Sequence, residues 1–198
     1  MGLKNFPKGY TPSSSQQYAI PNILDAFKDN RFVVMQGPTG CGKSFIAKTI
    51  ANGLQKLPSR LSKIVSDYRA FETSRDNGKL VYEYADDFVN KNYGTSILTT
   101  TKALQDQYTR DFEDIKTLKG KSSYICNLDE RSLADAAPCT FSSKLKKECW
   151  DCNRCDYYEA KNKSITAKIS VESYSSFFHK PDHLKYRQLI VCDEASEL

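Results

Sequence analysis

The stretch that most constrains the fold runs from Arg31 to Ser44, with the sequence RFVVMQGPTGCGKS. A short apolar run leads into a glycine-rich turn, and the turn leads into a helical pattern. The spacing G-x-x-x-x-G-K-[ST] is that of a phosphate-binding loop, whose glycines let backbone N–H groups approach phosphate oxygens closely. In that chemistry Lys43 reaches the β- and γ-phosphates, and the Ser44 hydroxyl coordinates Mg²⁺. The residues assigned to this nucleoside triphosphate site are Gly37, Pro38, Thr39, Gly40, Cys41, Gly42, Lys43 and Ser44.

An acidic pair, Asp193 and Glu194, directly follows a short apolar run near the other end of the sequence. Parallel sheets present ligands at the carboxyl ends of their strands, so this is where an NTPase keeps its acidic residues. We expect Asp193 to hold Mg²⁺, directly or through water, and Glu194 to orient or deprotonate the attacking water. A solvated acidic strand end is the alternative, and the upstream phosphate loop favours the functional interpretation.

Hydrophobic spacing predicts that helices and strands alternate along the chain. Helices are predicted over 15–29, 43–55, 102–112 and 157–160, and strands over 31–36, 79–84, 96–101, 165–171 and 188–192. Residues 1–15 are predicted to form an extended arm, with the serines 13–15 available as a helix N-cap. This alternation favours an α/β fold with a mostly parallel sheet.

Composition indicates a soluble globular protein of 198 residues, with 39% hydrophobic residues and a net charge of +5. The length suits one domain with a small insertion. No apolar run approaches the roughly 20 residues of a membrane helix, and the N-terminus lacks a secretory signal. We therefore expect a cytoplasmic protein without a membrane partner. The positive charge is compatible with nucleic-acid binding but equally with an ordinary basic surface.

Five of the seven cysteines lie in one 30-residue stretch, as Cys126, Cys139, Cys149, Cys152 and Cys155. Disulfides are rare in a reducing cytosol, so such a group is more often metal-binding or catalytic. The run C-x-x-C-x-x-C at 149–155 is typical of iron–sulfur ligation, and it also permits a four-thiolate zinc site. Lysines and aromatic residues surround the cysteines, which suits a nucleic-acid backbone with stacked bases or, equally, a solvated basic loop.

Taken in order, these motifs resemble the first motor domain of the XPD/DinG-type iron–sulfur helicases of superfamily 2. The segments that carry the resemblance are 37–44 (first ATP motif), 96–107 (motif Ia, which touches the DNA backbone), 118–126 and 155–161 (around the first and last cluster cysteines) and 191–196 (DEAH box). Gln16 lies at the distance from the loop where the family keeps its adenine-reading glutamine.

The resemblance implies a P-loop NTPase (RecA-like) α/β domain over residues 1–120 and 160–198, with an inserted cysteine-rich module at 121–159. It implies ATP and Mg²⁺ as cofactors, catalytic roles for Lys43, Asp193 and Glu194, and coupling of ATP hydrolysis to movement along single-stranded or forked DNA. By resemblance, the ligands of a [4Fe-4S] cluster are Cys126, Cys139, Cys149 and Cys155. The ferredoxin-like triple would instead favour Cys152 over Cys139, and Zn²⁺ is the alternative metal.

The sequence departs from the helicase pattern at three places. Ser196 replaces the histidine of the DEAH box, and Ser13 stands where an arginine usually precedes the glutamine by three. The sequence reaches Leu198 without the second RecA-like domain that supplies transition-state arginines. We therefore expect a piece of a longer or split helicase that alone hydrolyses ATP poorly. A zinc-containing nucleic-acid-binding module with a vestigial nucleotide site is the main alternative, and a small P-loop kinase is a weaker one.

Overall fold

A computed structural model describes residues 2–54, 94–151, 155–180, 185 and 187–195. The chain divides into two compact units, Met1–Ser66 and Asp67–Leu198, and each is considered by itself. The strand predicted over 79–84 lies outside the described residues.

The first unit contains the helices predicted over 15–29 and 43–55, as α1 (Ser14–Asp29) and α2 (Lys43–Leu54). A capping box starts α1: the Ser13 hydroxyl accepts from the Gln16 N–H, and the Gln16 side chain accepts from the Ser13 N–H. This reciprocal arrangement satisfies two N–H groups that have no partner within the helix. The helix therefore begins where the serine triplet predicts.

The N-terminal arm packs against α2. It contains one 3₁₀ turn, Leu3–Asn5, and the Asn52 side chain donates to the Asn5 carbonyl at 3.1 Å. The ring of Phe6 stacks on Phe45, with centroids 5.8 Å apart. The arm is thus anchored by aromatic packing beside the phosphate loop, which the prediction of an extended arm did not include.

The strand predicted over 31–36 is not formed. The segment between α1 and α2 has no regular secondary structure as far as Pro38, and Phe32 and Val34 are 82% and 94% exposed. A strand exists only where a neighbouring strand accepts its backbone hydrogen bonds, and an apolar run alone does not supply that neighbour.

The second unit is built on a four-stranded sheet, β1 (Thr95–Thr99), β2 (Lys116–Leu118), β3 (Ile169–Ser173) and β4 (Leu189–Cys192). The strand order is β2-β3-β1-β4, and every pairing is parallel. All five residues of β1 are buried, as expected for a central strand covered on both faces. The predicted α/β fold with a mostly parallel sheet is confirmed.

The described helices of this unit are α3 (Lys102–Asp111), α4 (Ser143–Asp151), α5 (Asp156–Thr166) and α6 (Tyr174–Phe178), with 3₁₀ turns at Lys121–Ser123 and Pro138–Thr140. Helices α3, α5 and α6 pack against the sheet. The strand predicted over 165–171 is displaced, because Ile165 belongs to the last turn of α5 and the strand begins at Ile169. Short apolar runs fit both periodicities, so the boundary could not be placed by pattern.

One face of the sheet carries a buried ion pair. Glu172 on β3 has a fully buried side chain, and Lys180 beyond α6 keeps 5% of its side chain exposed. The Lys180 ammonium lies 2.7 Å from Oε1 and 2.6 Å from Oε2 of that carboxylate. Burial lowers the pKa of Lys180, although the Glu172 charge opposes the shift.

Within the described ranges, no helix combines the length and apolar character needed to cross a membrane.

Candidate nucleotide and metal sites

The phosphate loop forms a closed turn directly before α2. Gly40 and Gly42 have left-handed backbones, with φ of +80° and +79°. The Cys41 N–H donates to the Pro38 carbonyl at 3.3 Å, and the Lys43 ammonium donates to the Gly37 carbonyl at 3.2 Å. Lys43 therefore reaches back across the loop whose N–H groups would surround a phosphate.

The loop passes a steric test for a phosphate cradle. A Cβ atom added at Gly37 would meet the Cys41 sulfur at 2.9 Å, and one added at Gly42 would meet Nε2 of Gln16 at 2.1 Å. At Gly40 and Gly42 the positive φ strains any other residue, and a side chain at Gly37 or Gly42 would also have to displace a neighbouring side chain. The residues present therefore fit the polyphosphate of a nucleotide, and the Ser44 hydroxyl lies at the start of α2, where the motif would have a Mg²⁺ ligand.

Gln16 is 7% exposed and lies against this loop. Its Nε2 donates to the Gly42 carbonyl at 3.3 Å, while its Oε1 accepts from the Ser13 N–H at 2.9 Å. The structure thus brings the residue predicted to read adenine into contact with the loop backbone.

The acidic pair follows β4 at the carboxyl edge of the sheet in the second unit. The Asp193 N–H donates to the Leu98 carbonyl at 2.9 Å, which continues the pairing of β4 with β1. Glu194 adopts a left-handed backbone, with φ of +56°. A non-glycine residue is strained in this conformation, and such backbone outliers concentrate at functional sites.

Three side chains that end in hydroxyls hold the pair in place. The Tyr108 phenol of α3 donates to Oδ2 of Asp193 at 2.9 Å, and the Tyr174 phenol donates to the Asp193 backbone carbonyl at 3.0 Å. Thr100, directly after β1, donates to Oε2 of Glu194 at 2.8 Å. The Asp193 carboxylate is therefore oriented from α3 and the Glu194 carboxylate from the residue after β1, while α6 holds the Asp193 backbone.

The electrostatics keep these phenols protonated. Burial, reinforced by the Asp193 carboxylate, holds the pKa of Tyr108 well above the usual value of 10.0. Burial likewise raises the pKa of Tyr174. The two groups remain hydrogen-bond donors to Asp193 throughout the physiological pH range.

The third candidate site is a cavity of about 280 Å³ in the cysteine-rich segment. Three of the predicted ligands, Cys126, Cys139 and Cys155, line it together with Tyr157 and Tyr158. Cys126 and Cys139 are buried, and all three are free thiols. The side chain of Cys149, and Cys152 as a whole, lie outside the described residues.

A tight turn positions the first of these cysteines. The Cys126 N–H donates to the Ser132 carbonyl at 2.8 Å, and Asp129 inside the turn accepts from the Ser132 hydroxyl at 2.7 Å. Hydrogen bonds from Ser132 lower the pKa of Asp129. The Asn127 amide donates to Asp156 at 3.2 Å, which joins this turn to the start of α5, directly after Cys155.

The described side chains do not form a metal site by themselves. No group of three or more His, Cys, Asp or Glu side chains among them could hold a metal ion. The cavity thus gathers three of the thiols predicted as ligands without completing a coordination set. Basic and aromatic groups border it, and the Lys121 ammonium lies 5.5 Å from the centre of the Tyr157 ring.

The family model described as Novel STAND NTPase 3 matches residues 16–172, which is more than half of the chain. The chain belongs to the Novel STAND NTPase 3 family. Membership of an NTPase family agrees with the phosphate loop and indicates nucleotide binding. The match begins at Gln16 and includes the loop and the cysteine-rich segment. No curated protein and no solved structure matches the chain.

In this NTPase chain, sequence reasoning missed the residues that orient the acidic pair. Tyr108 contributed only to the helical spacing of α3, and Tyr174 belonged to no motif. Thr100 lay inside the segment that resembles motif Ia, but without an assigned contact to Glu194. Their roles depend on strand register, which a single sequence does not display.

Proposed function

We propose that this chain binds ATP with Mg²⁺ as the first motor domain of a DinG/XPD-type DNA helicase, and that it contributes to ATP hydrolysis in the complete protein. The observation that carries the proposal is the phosphate loop, with its two left-handed glycines and Lys43 reaching across the turn. The order of the remaining motifs supports the helicase part.

The residues of the chain have distinct tasks in this proposal. The N–H groups of the loop and the Lys43 charge would bind the phosphates, and the Ser44 hydroxyl would be an oxygen ligand for Mg²⁺ in the first unit. Asp193, in the second unit, is the carboxylate suited to Mg²⁺. Glu194 accepts the proton of the attacking water, or orients that water, as the bond to the γ-phosphate breaks. Thr100 and Tyr108 hold the two carboxylates for those tasks.

Helix α3 supports the coupling to DNA. The segment 96–107, which resembles the DNA-contacting motif Ia, includes most of β1 and the first half of α3. Tyr108 follows within the same helix and donates to Asp193. A strand of DNA bound at the start of α3 would therefore act on the helix that orients the Mg²⁺ ligand. By resemblance, a second RecA-like domain is the partner that supplies arginines to the transition state.

Nucleotide titration tests the ATP-binding part of the proposal. The chain should bind a fluorescent ATP analogue in the presence of Mg²⁺, and Lys43→Ala should weaken that binding at least tenfold by removing the charge on the phosphates. Lys28→Ala on α1, whose side chain is 72% exposed, is the charge-matched control. Equal affinities of the wild type and Lys43→Ala would contradict the proposal.

Single-stranded DNA tests the motor part of the proposal. DNA should raise the rate of ATP hydrolysis when the chain is joined to, or mixed with, its second RecA-like domain. A rate of ATP hydrolysis that does not change when DNA is added would contradict the helicase part of the proposal. It would still be compatible with an NTPase.

One observation favours a second candidate, a metal-held nucleic-acid-binding module with a vestigial nucleotide site. Cys126, Cys139 and Cys155 line one cavity in the second unit, while the phosphate loop belongs to the first. This candidate predicts zinc without iron after anaerobic purification. It also predicts DNA affinity that survives Lys43→Ala but is lost on chelation. The helicase proposal predicts iron and acid-labile sulfide instead, as in a [4Fe-4S] cluster.

A further inference from the structure

Both ends of the Gln16 side-chain amide contact the protein backbone. Oε1 accepts from the Ser13 N–H at 2.9 Å, and Nε2 donates to the Gly42 carbonyl at 3.3 Å. A backbone N–H can only donate and a backbone carbonyl can only accept, so these partners fix which end of the amide is oxygen. The orientation of Gln16 therefore follows from the structure itself.

The Gly42 carbonyl is the point at which the phosphate loop becomes α2. It also accepts from the N–H groups of Phe45 and Ile46, at 3.1 and 3.2 Å, which form the first turn of the helix. Gly42 has a left-handed backbone, and a side chain there would collide with Gln16. Gln16 thus contacts the residue whose left-handed conformation sets the shape of the end of the phosphate loop.

A base-reading role would conflict with these contacts. An adenine ring is recognised through both a donor and an acceptor on the same amide. Gln16 has one hydrogen and one lone pair left, but only 7% of the residue is exposed. Turning the amide outward would leave the Ser13 N–H without its side-chain acceptor. It would also break the hydrogen bond from Gln16 to the Gly42 carbonyl.

We infer that Gln16 is a positioning residue of the phosphate loop and does not read the base. It connects the capping box of α1 to the end of the loop, so it supports phosphate binding of any nucleoside triphosphate. The inference rests on the proposed nucleotide binding and specifies what Gln16 contributes to it.

Three ligands separate the two roles: ATP, GTP and inorganic tripolyphosphate, each titrated with Mg²⁺. Gln16→Ala should weaken all three by about fivefold, the loss typical of one neutral hydrogen bond, and leave the ratio of ATP to GTP affinity unchanged. Gln16→Met keeps an unbranched side chain of similar size and loses both contacts of the amide without adding a charge. It should weaken the same three ligands, so the test does not depend on a single variant folding.

Two controls isolate the contact with the loop. Ser13→Ala removes the hydroxyl cap but keeps the bond between Gln16 and Gly42. Gln17→Ala removes a neighbouring amide that donates to the Pro12 carbonyl. Both should bind the three ligands as the wild type does.

Selective loss of ATP in the Gln16 variants, with GTP and tripolyphosphate unaffected, would overturn the inference and restore base reading. Equal weakening by Ser13→Ala would also overturn it, because the effect would then come from the helix cap. If the wild type binds none of the ligands, the proposed nucleotide binding fails and the inference with it. That outcome differs from the other two, in which the wild type binds.

Discussion

The buried pair of Glu172 and Lys180 gives the most quantitative prediction for the second unit. Replacing Lys180 by Met keeps an unbranched side chain of similar size but removes the ammonium. The carboxylate of Glu172 then stays fully buried, with the Ser96 hydroxyl at 3.5 Å as a remaining donor and the charge of Arg187 as a weaker remaining partner. We expect the variant to be strongly destabilised.

The magnitude follows from the burial of both partners. Removing one partner of a buried ion pair costs about 3–5 kcal/mol, because the other charge is left without compensation. This is a fifth or more of the roughly 5–15 kcal/mol that stabilises a typical domain. With a urea dependence of about 2 kcal/mol per M, the unfolding midpoint should fall by about 2 M.

Urea unfolding measures this change. It is monitored by circular dichroism and by the fluorescence of Trp150, the one tryptophan of the chain. Lys163→Met is the matched control, since Lys163 pairs with Glu159 on the surface of α5, where the side chains are 61% and 49% exposed. Exposed pairs of this kind contribute about 0.5 kcal/mol or less. The double variant Glu172→Leu with Lys180→Met should recover most of the loss, because it removes both buried charges.

Equal unfolding midpoints for Lys180→Met and Lys163→Met would refute the reasoning, since Glu172 could then not be a buried carboxylate that depends on Lys180. A double variant as unstable as the single one would refute it differently. It would show that the loss comes from packing and that charge compensation has no part in it.

Four further predictions come from three variants, two at the candidate sites and one at the end of α5. Tyr108→Phe should cost about 1.5–3 kcal/mol of unfolding free energy through the lost bond to Asp193, measured by urea unfolding. The raised pKa of Tyr108 means that the folded protein keeps the phenol proton above pH 10, where the unfolded chain loses it. The free energy of unfolding of the wild type should therefore fall as the pH rises above 10. That of Tyr108→Phe should fall less. Gly42→Ala should abolish ATP binding in a nucleotide titration, because φ of +79° strains any side chain there and a Cβ would displace the Gln16 amide that now lies 2.1 Å from its position. The far-ultraviolet spectrum should stay unchanged. Arg187→Gln should accelerate hydrogen exchange at the C-terminal end of α5, where the guanidinium donates to two backbone carbonyls.

Local signals predicted most of the elements that the structure contains. The serine triplet placed the start of α1, the phosphate loop placed α2, and β-branched runs placed β1 within one or two residues. Each of these depends on interactions between near neighbours in sequence. The run at 31–36 failed because a strand is defined by a partner that local composition does not reveal.

The candidate sites were predictable to the extent that they consist of contiguous motifs. The phosphate loop and the acidic pair are read from adjacent residues, so their side chains could be named from sequence. The cavity shared by Cys126, Cys139 and Cys155 needed only clustering of cysteines, although the turn that positions Cys126 was not foreseen. The contact of Gln16 with Gly42 spans 26 residues and follows from the packing of two helices.

The register of the sheet explains why Thr100 and Tyr174 lie next to the acidic pair Asp193–Glu194. Leu98 of β1 pairs with Glu172 of β3 on one side and with Cys192 of β4 on the other, so three parallel strands end at one level. The residues that follow them, Thr100, Tyr174 and the pair Asp193–Glu194, must therefore meet at the same edge. Helix α3 starts directly after β1 and brings Tyr108 back to this edge. A ligand that moves α3 would change the hydrogen bond to Asp193 directly, so coupling to the acidic pair requires no element beyond β1 and the helix that follows it.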